Sequence, residues 1–406
     1  MVRRLPVFLA FLAIVGTVPV QANWVKTSGP ESTLVLASGS EDGSLYAGKD
    51  GGVFKSTDTG ATWTSVNSGL TNTAVRALIV FRGSVYAGTQ GGGIFQSTNN
   101  GGNWLSKNVG LGNLNVRDFD VSISGALFAG TDSGVYVSTD SGKSWVGRST
   151  GLTSLAIKTV SFATINSQLG NAVGTDSGVF FSANSGVSWT AINSGITNKS
   201  IRVLGTGPST LYVGTGGGGL YWRDYSSSSW ALVNSNLGNS DIRAFASSGN
   251  SNYSGVVAGS SNGIFLVNTS GTSWDSINTG LVNRSVRDLA VPLVGAPFVF
   301  AAMDDGIWRR PIGEVLVSSL SYSGHKVKGF HLDERGRFRL TLSSPTHVAF
   351  NLVDGKGRSV VAPFSGWLPA GLNSLQLGNS TLPAGLYFFR LQVGDQTETR
   401  KVVLTR

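Results

Sequence analysis

Apolar and polar positions alternate along this chain in short runs of four to seven residues, each broken by Gly, Asn, Ser or Asp. Between 74 and 107 the runs are "AVRALIV" (74–80), "SVYAG" (84–88), "GIFQS" (93–97) and "NWLSK" (103–107). All are β-branched or aromatic in character and bounded by turn formers, the pattern of half-buried strands. No window sustains a helical period, so the chain reads as all-β.

The four-run unit recurs. Its closing Trp stands at 63, 104, 145, 189, 230 and 274, in steps of 41, 41, 44, 41 and 44. That period, with four strands per unit, is the spacing of propeller blades. Gly-apolar-aromatic triplets opening the third strand count the units independently: they begin at Gly52, Gly93, Gly134, Gly178, Gly219, Gly263 and Gly306, which makes seven. Only six are followed by a Trp-bearing fourth strand, whereas Trp24, in "NWVKTSGP", has no first three strands ahead of it. The predicted fold is a seven-bladed β-propeller over 23–313, in which the segment at 23–28 supplies the fourth strand of the last blade and leaves no open sheet edge.

Between third and fourth strands a phrase repeats: "STDTGATW" (56–63), "STNNGGNW" (97–104), "STDSGKSW" (138–145) and "SANSGVSW" (182–189). Its fixed positions are Ser56, Asp58, Gly60 and Trp63; Ser97, Asn99, Gly101 and Trp104; Ser138, Asp140, Gly142 and Trp145; and Ser182, Asn184, Gly186 and Trp189. In a tight turn Asp or Asn accepts backbone N–H groups, Gly takes a positive φ, and Trp fills the gap between neighbouring sheets. Calcium needs several oxygens around one centre, and one carboxylate per turn is too few, so no metal is expected. The phrase resembles the Asp-box of BNR (neuraminidase-like) repeat propellers, found in sialidases, xyloglucan-cleaving glycosidases, sortilin-type receptors and photosystem II assembly factors. The resemblance implies the propeller and no single activity.

From about Glu314 the repeat stops. Runs at 337–342, 347–360, 371–378 and 382–406, separated by Asp-Gly, Pro-Ala-Gly and Gly-Asp turns, predict a small Ig-like β-sandwich over 314–406. Val353-Asp354-Gly355-Lys356-Gly357, Leu382-Pro383-Ala384-Gly385-Leu386-Tyr387 and the basic end Arg400-Lys401-Val402-Val403 resemble the C-terminal sorting domain of type IX secretion, with Gly385, Tyr387 and Lys401 among the matching positions. The Asn-Pro that often opens such domains is absent.

Composition adjusts this picture. Residues 1–22, with two arginines, an apolar run and a small-residue ending at Val20-Gln21-Ala22, read as a secretory signal peptide rather than a membrane span. The chain has no cysteine, which suits an exported protein held by its cores alone. The formal charge of +9 shrinks on division, since 23–313 hold 18 basic against 16 acidic residues and 314–406 hold 11 against 6. No nucleic-acid footprint follows from such a balance.

Arg76, Arg117, Lys158, Arg202, Arg243 and Arg287 each fall at the second position of a first strand, near the channel mouth, where a cation ring would focus an anionic ligand. Hairpin acids Asp50, Asp132, Asp176 and Asp304 share that face and would pair with them. Catalysis has little to draw on: all three histidines (325, 331 and 347) lie beyond the propeller, which holds Glu31 and Glu41 as its glutamates. Paired-carboxylate hydrolysis would fall to Asp118, Asp120, Asp241, Asp288 or Asp305. The expectation is an exported monomeric binding protein, without cofactor, presenting its mouth face to a protein or glycan. It would be secreted or held on the surface of a Gram-negative bacterium and handled by the secretion machinery through its C-terminal domain. A secreted glycoside hydrolase is the alternative.

Overall fold

Within the residues described by the computed structural model, the recurring unit folds as seven four-stranded antiparallel sheets. Those residues are 23–39, 43–207, 209–233, 241–247, 256–267, 274–292 and 298–311, with 327–332, 337–342, 346–354, 358–360, 364–368, 371–376, 385–393 and 396–404. The expected signal segment at 1–22 lies outside them. Blade 2 is representative: Val75–Phe81, Ser84–Thr89, Gly93–Ser97 and Leu105–Ser106 pair in sequence order. Its second strand is buried along its whole length and its fourth is exposed. First strands of neighbouring blades touch one another round the ring, so they form its inner wall.

The fourth strand is shorter than the predicted 103–107. The Asn103 N–H goes to Asn99 Oδ1 at 2.8 Å, and the Trp104 N–H to Ser68 O of the preceding blade at 2.8 Å. Donors spent on the turn and on the neighbouring blade are not available to a ladder.

Each gap between blades holds one apolar cluster. Tyr46, Leu70, Val75, Phe95 and Trp104 join blades 1 and 2, and Leu36, Leu45, Phe300 and Ile307 join blades 7 and 1. Five further clusters occupy the remaining gaps. Burying one large apolar side chain is worth about 1.5–3 kcal/mol, so every gap contributes several such increments. In blades 2 to 5 the Trp also ties its indole N–H to the blade before: Trp104 to Val66 O, Trp145 to Lys107 O, Trp189 to Arg148 O and Trp230 to Ile192 O.

Blade 7 comprises Val286–Ala290, Phe298–Met303, Gly306–Pro311 and the distant Val25–Lys26. Val25 lies opposite Arg309 and Lys26 opposite Trp308. Trp24 Nε1 donates to Ile277 O at 2.7 Å, the same inter-blade bond made elsewhere. Trp63 differs, donating to Gly60 O of its own turn.

A second fastening went unread in the sequence. Asn67 Oδ1 accepts the Val53 N–H at 2.7 Å while its Nδ2 donates to Gly51 O; Asn108 does the same with Ile94 and Gly92. Asn193 and Asn278 accept from Val179 and Ile264, and Ser149 Oγ accepts from Val135. The signal was the recurring "NSGL", "NVGL", "STGL", "NSGI" and "NTGL" after each Trp strand.

Beyond 311, described strands form a three-stranded sheet (Val327–Leu332, Arg337–Leu342, Gly371–Gln376) and a four-stranded sheet ordered Phe364–Leu368, Thr346–Asp354, Gly385–Val393, Gln396–Leu404. Val327–Leu332 and Phe364–Leu368 had not been anticipated. Gly385 lies opposite Leu404, Tyr387 opposite Val402 and Asp354, and Lys401 opposite Phe388. Residues 355–357 and 382–384 lie outside the described set.

Candidate binding face

The meander gives the propeller two unlike faces. Second-to-third hairpins and blade-to-blade connections share one, the mouth face; first-to-second hairpins and the Ser-x-Asp/Asn-x-Gly turns share the other.

On the mouth face five of the six cations stand second in a first strand and Lys158 falls just ahead of its strand, Thr159–Ile165; acids meet them. Arg76 Nη1 donates to Asp50 at 2.7 Å and its Nη2 to Gln90 Oε1 at 2.8 Å. Arg117 holds Asp132 through two bonds of 2.7 and 3.0 Å. This contact keeps the Asp132 carboxyl below its usual range and raises the Arg117 guanidinium. Lys158 lies 3.2 Å from Asp176, and Arg287 donates to Asp304 at 2.8 Å. Asp241 was missed as a partner. It accepts from Arg243 at 2.8 Å, and Arg202 approaches it only to 3.9 Å. The signal was legible: Asp241 and Arg243 stand two apart, on one side of an extended segment.

The five aspartates considered for hydrolysis are bound into the fold. Asp118 Oδ1 accepts the Phe119 N–H at 2.9 Å, and its Oδ2 accepts Val160 N–H of the next blade at 2.8 Å. Asp288 repeats this across the last gap, with Leu289 N–H on Oδ1 and Leu36 N–H on Oδ2, both at 2.8 Å. Asp120 accepts the Phe162 N–H. These carboxylates satisfy backbone donors on the free edge of a neighbouring inner strand. Burial pushes Asp118 up to about 6, against the pull of its N–H bonds. Burial likewise pushes Asp120 and Asp288 up to about 7, with the like charge of Asp118 adding to each. Asp241 is engaged as above, and Asp305 Oδ1 accepts the Trp308 indole N–H at 3.1 Å.

On the opposite face the repeated turn is closed on itself. Ser56 Oγ donates to Asp58 Oδ1 at 2.8 Å and accepts the Gly60 N–H at 2.9 Å. Asp58 accepts the Thr62 hydroxyl at 2.6 Å and the Thr62 N–H at 2.8 Å, and these bonds, the hydroxyl foremost, hold its carboxyl down to about 2. Asp140 is held to about 2 by Ser144 in the same way. Asn99 and Asn184 accept the equivalent N–H groups of Asn103 and Ser188. Gly60 takes φ 81° as expected, and Thr59 before it takes φ 57°, a second left-handed residue that had not been anticipated. In blade 5 Arg223 stands where Ser stood. It donates to Ser227 O, and its guanidinium sits 5.5 Å from the Trp230 ring centre. Among the described residues no three His, Asp or Glu side chains converge as a metal site, and no helix is long and apolar enough to cross a membrane.

No family model and no curated protein matches the chain. Solved structures do. The extracellular domain of the putative one-component system BT4673 from B. thetaiotaomicron superposes with a TM-score of 0.59 at 15% identity, over 80% of this chain and 45% of that one. The chain therefore spans less than half the length of that domain. YCF48 bound to D1 peptide gives 0.56 at 14% identity, over 74% and 97%. PorZ, described as an essential surface component of the type IX secretion system of Porphyromonas gingivalis, gives 0.57 at 13%, over 93% and 60%. At such identities the likeness is one of architecture, and by architecture this chain contains an all-β, seven-bladed propeller resembling those of YCF48 and the BT4673 extracellular domain.

Proposed function

We propose that this chain is an exported binding protein that holds a protein or glycan on the mouth face of its propeller and performs no hydrolysis there. The observation that carries the reading is the engagement of the candidate acids: Asp118, Asp120 and Asp288 accept backbone N–H groups at the inner wall, Asp241 is paired with Arg243, and Asp305 accepts an indole N–H. A hydrolytic pair needs two carboxyls turned to one substrate at a set separation. That propellers of the same architecture include one bound to a peptide and one described as a surface component supports a contact role at the cell exterior.

Export by residues 1–22 and sorting by a β-sandwich over 314–406, through positions including Gly385, Tyr387 and Lys401, belong to the same proposal. Two experiments test it. Glycan-array binding and protein pulldown should yield a ligand while a polysaccharide panel shows no turnover; reducing-end release lost in Asp118→Asn and Asp288→Asn would favour the hydrolase instead. Deleting 382–406 should abolish export, and normal export of that variant would remove the sorting role.

A further inference from the structure

We propose that the mouth-face ligand is a polypeptide segment carrying both acidic and aliphatic side chains, seated from blade 3 round to blade 7. This deepens the binding role proposed above and rests on it. The blade-to-blade loops present equivalent positions on that face, occupied by Thr73, Leu114, Leu155, Lys199 and Arg284 in blades 2, 3, 4, 5 and 7. Leu114 and Leu155 are 40% and 47% exposed, and Val282, beside Arg284, is 89% exposed. The hairpin of blade 3 places the Arg117–Asp132 pair between the two leucine loops. Further round, charge is under-compensated. Arg202 meets Asp241 only at 3.9 Å, and that acid is already taken by Arg243 at 2.8 Å. Among the described residues neither Lys199 nor Arg284 pairs with an acid.

An aliphatic arc next to an uncompensated cationic arc fits a partner with carboxylates and branched apolar groups together. An acidic glycan would answer the cations and leave the leucines uncovered. Sugar rings pack their C–H faces on aromatic rings, and among the described residues the exposed large hydrophobic side chains include no Trp, Tyr or Phe.

The test is selection of random twelve-residue peptides on the whole protein, alongside a glycan array. The expected pool is enriched in Asp and Glu together with Leu, Ile, Val or Phe. Its best member, synthesised, should bind about tenfold more weakly to Lys199→Glu/Arg202→Glu/Arg284→Glu and to Leu114→Ser/Leu155→Ser. Raising salt should weaken wild-type binding and leave unchanged or strengthen the residual binding of the first variant, whose new carboxylates repel an acidic peptide until screened, a control that does not rely on the variants alone. Selected peptides without acidic enrichment, or equal binding to both variants, would overturn the proposal. Capture of glycans with no peptide selected would overturn it while leaving the broader binding role standing; capture of nothing by either route would remove both.

Discussion

Asp58 and Asp118 are pulled in opposite directions by their surroundings, and the protein's pH response follows. Asp58 and Asp140, held to about 2 by Thr62 and Ser144, bind fewer protons folded than unfolded between there and the ordinary value of 3.8. Their contribution to stability is present above that value and is lost as pH falls through about 2. Asp58 is exposed and Asp140 half-buried at the surface, so solvent screening keeps this acid arm small. Asp118, at about 6, and Asp120 and Asp288, at about 7, bind more protons folded than unfolded. Their contribution is complete below 3.8 and is lost as pH rises through 6 to 7. Calorimetric Tm should therefore decline between pH 4 and pH 7.5, and Asp118→Asn should flatten part of that decline; a Tm that climbs over the interval would contradict the assignment. The cation ring and four of its acid partners were legible in the sequence, because strand position and hairpin position can be read from a repeat. That Asp118 and Asp288 accept a neighbouring blade's N–H groups was not, since no periodicity reports which edge donors lie opposite a side chain.

Within blades 1 to 4, one Ser closes the turn ahead of the fourth strand and one Trp follows it. Ser138 is buried at 1% exposure, and its hydroxyl accepts the Gly142 N–H at 2.8 Å while donating to Asp140. Ser138→Ala leaves that N–H unsatisfied and should cost about 1–3 kcal/mol, read as a lower denaturation midpoint with an unchanged m-value. Trp24→Ala removes a residue 2% exposed together with its bond to blade 6, and should cost about 3–5 kcal/mol. Trp63→Ala should cost distinctly less, because that indole is half-buried and bonded only within its own turn. Equal losses for the two would show that the inter-blade bond is not what distinguishes them. Repeated Trp residues made the blades countable from sequence. The shortness of the fourth strands stayed hidden because it depends on where the Trp104 N–H goes, which is a matter between blades.

For the whole molecule, closure is the decisive feature. Blade 7 has three of its strands from Val286–Pro311 and its fourth from Val25–Lys26, and apolar clusters fill the gaps on both sides of it. Deleting 23–28 removes the outer strand and Trp24 together and should lower Tm by about 10 °C. The number of blades and the role of Trp24 could be inferred from a surplus of third-strand triplets over Trp strands. Where the repeat fades, pattern reading loses its grip: Arg223 takes over the Ser position by stacking on Trp230, a solution with no motif of its own. Joining residues 253 positions apart also sets a timetable. Contacts this distant along the chain form late and slowly, so the segment at 25–26 is made early and must wait for its partner. Until the two meet, the Gly306–Pro311 strand presents an unpaired edge, the part of the molecule most open to pairing with another copy. Conditions that keep newly made chains dilute during refolding are thus the ones under which the ring closes on itself.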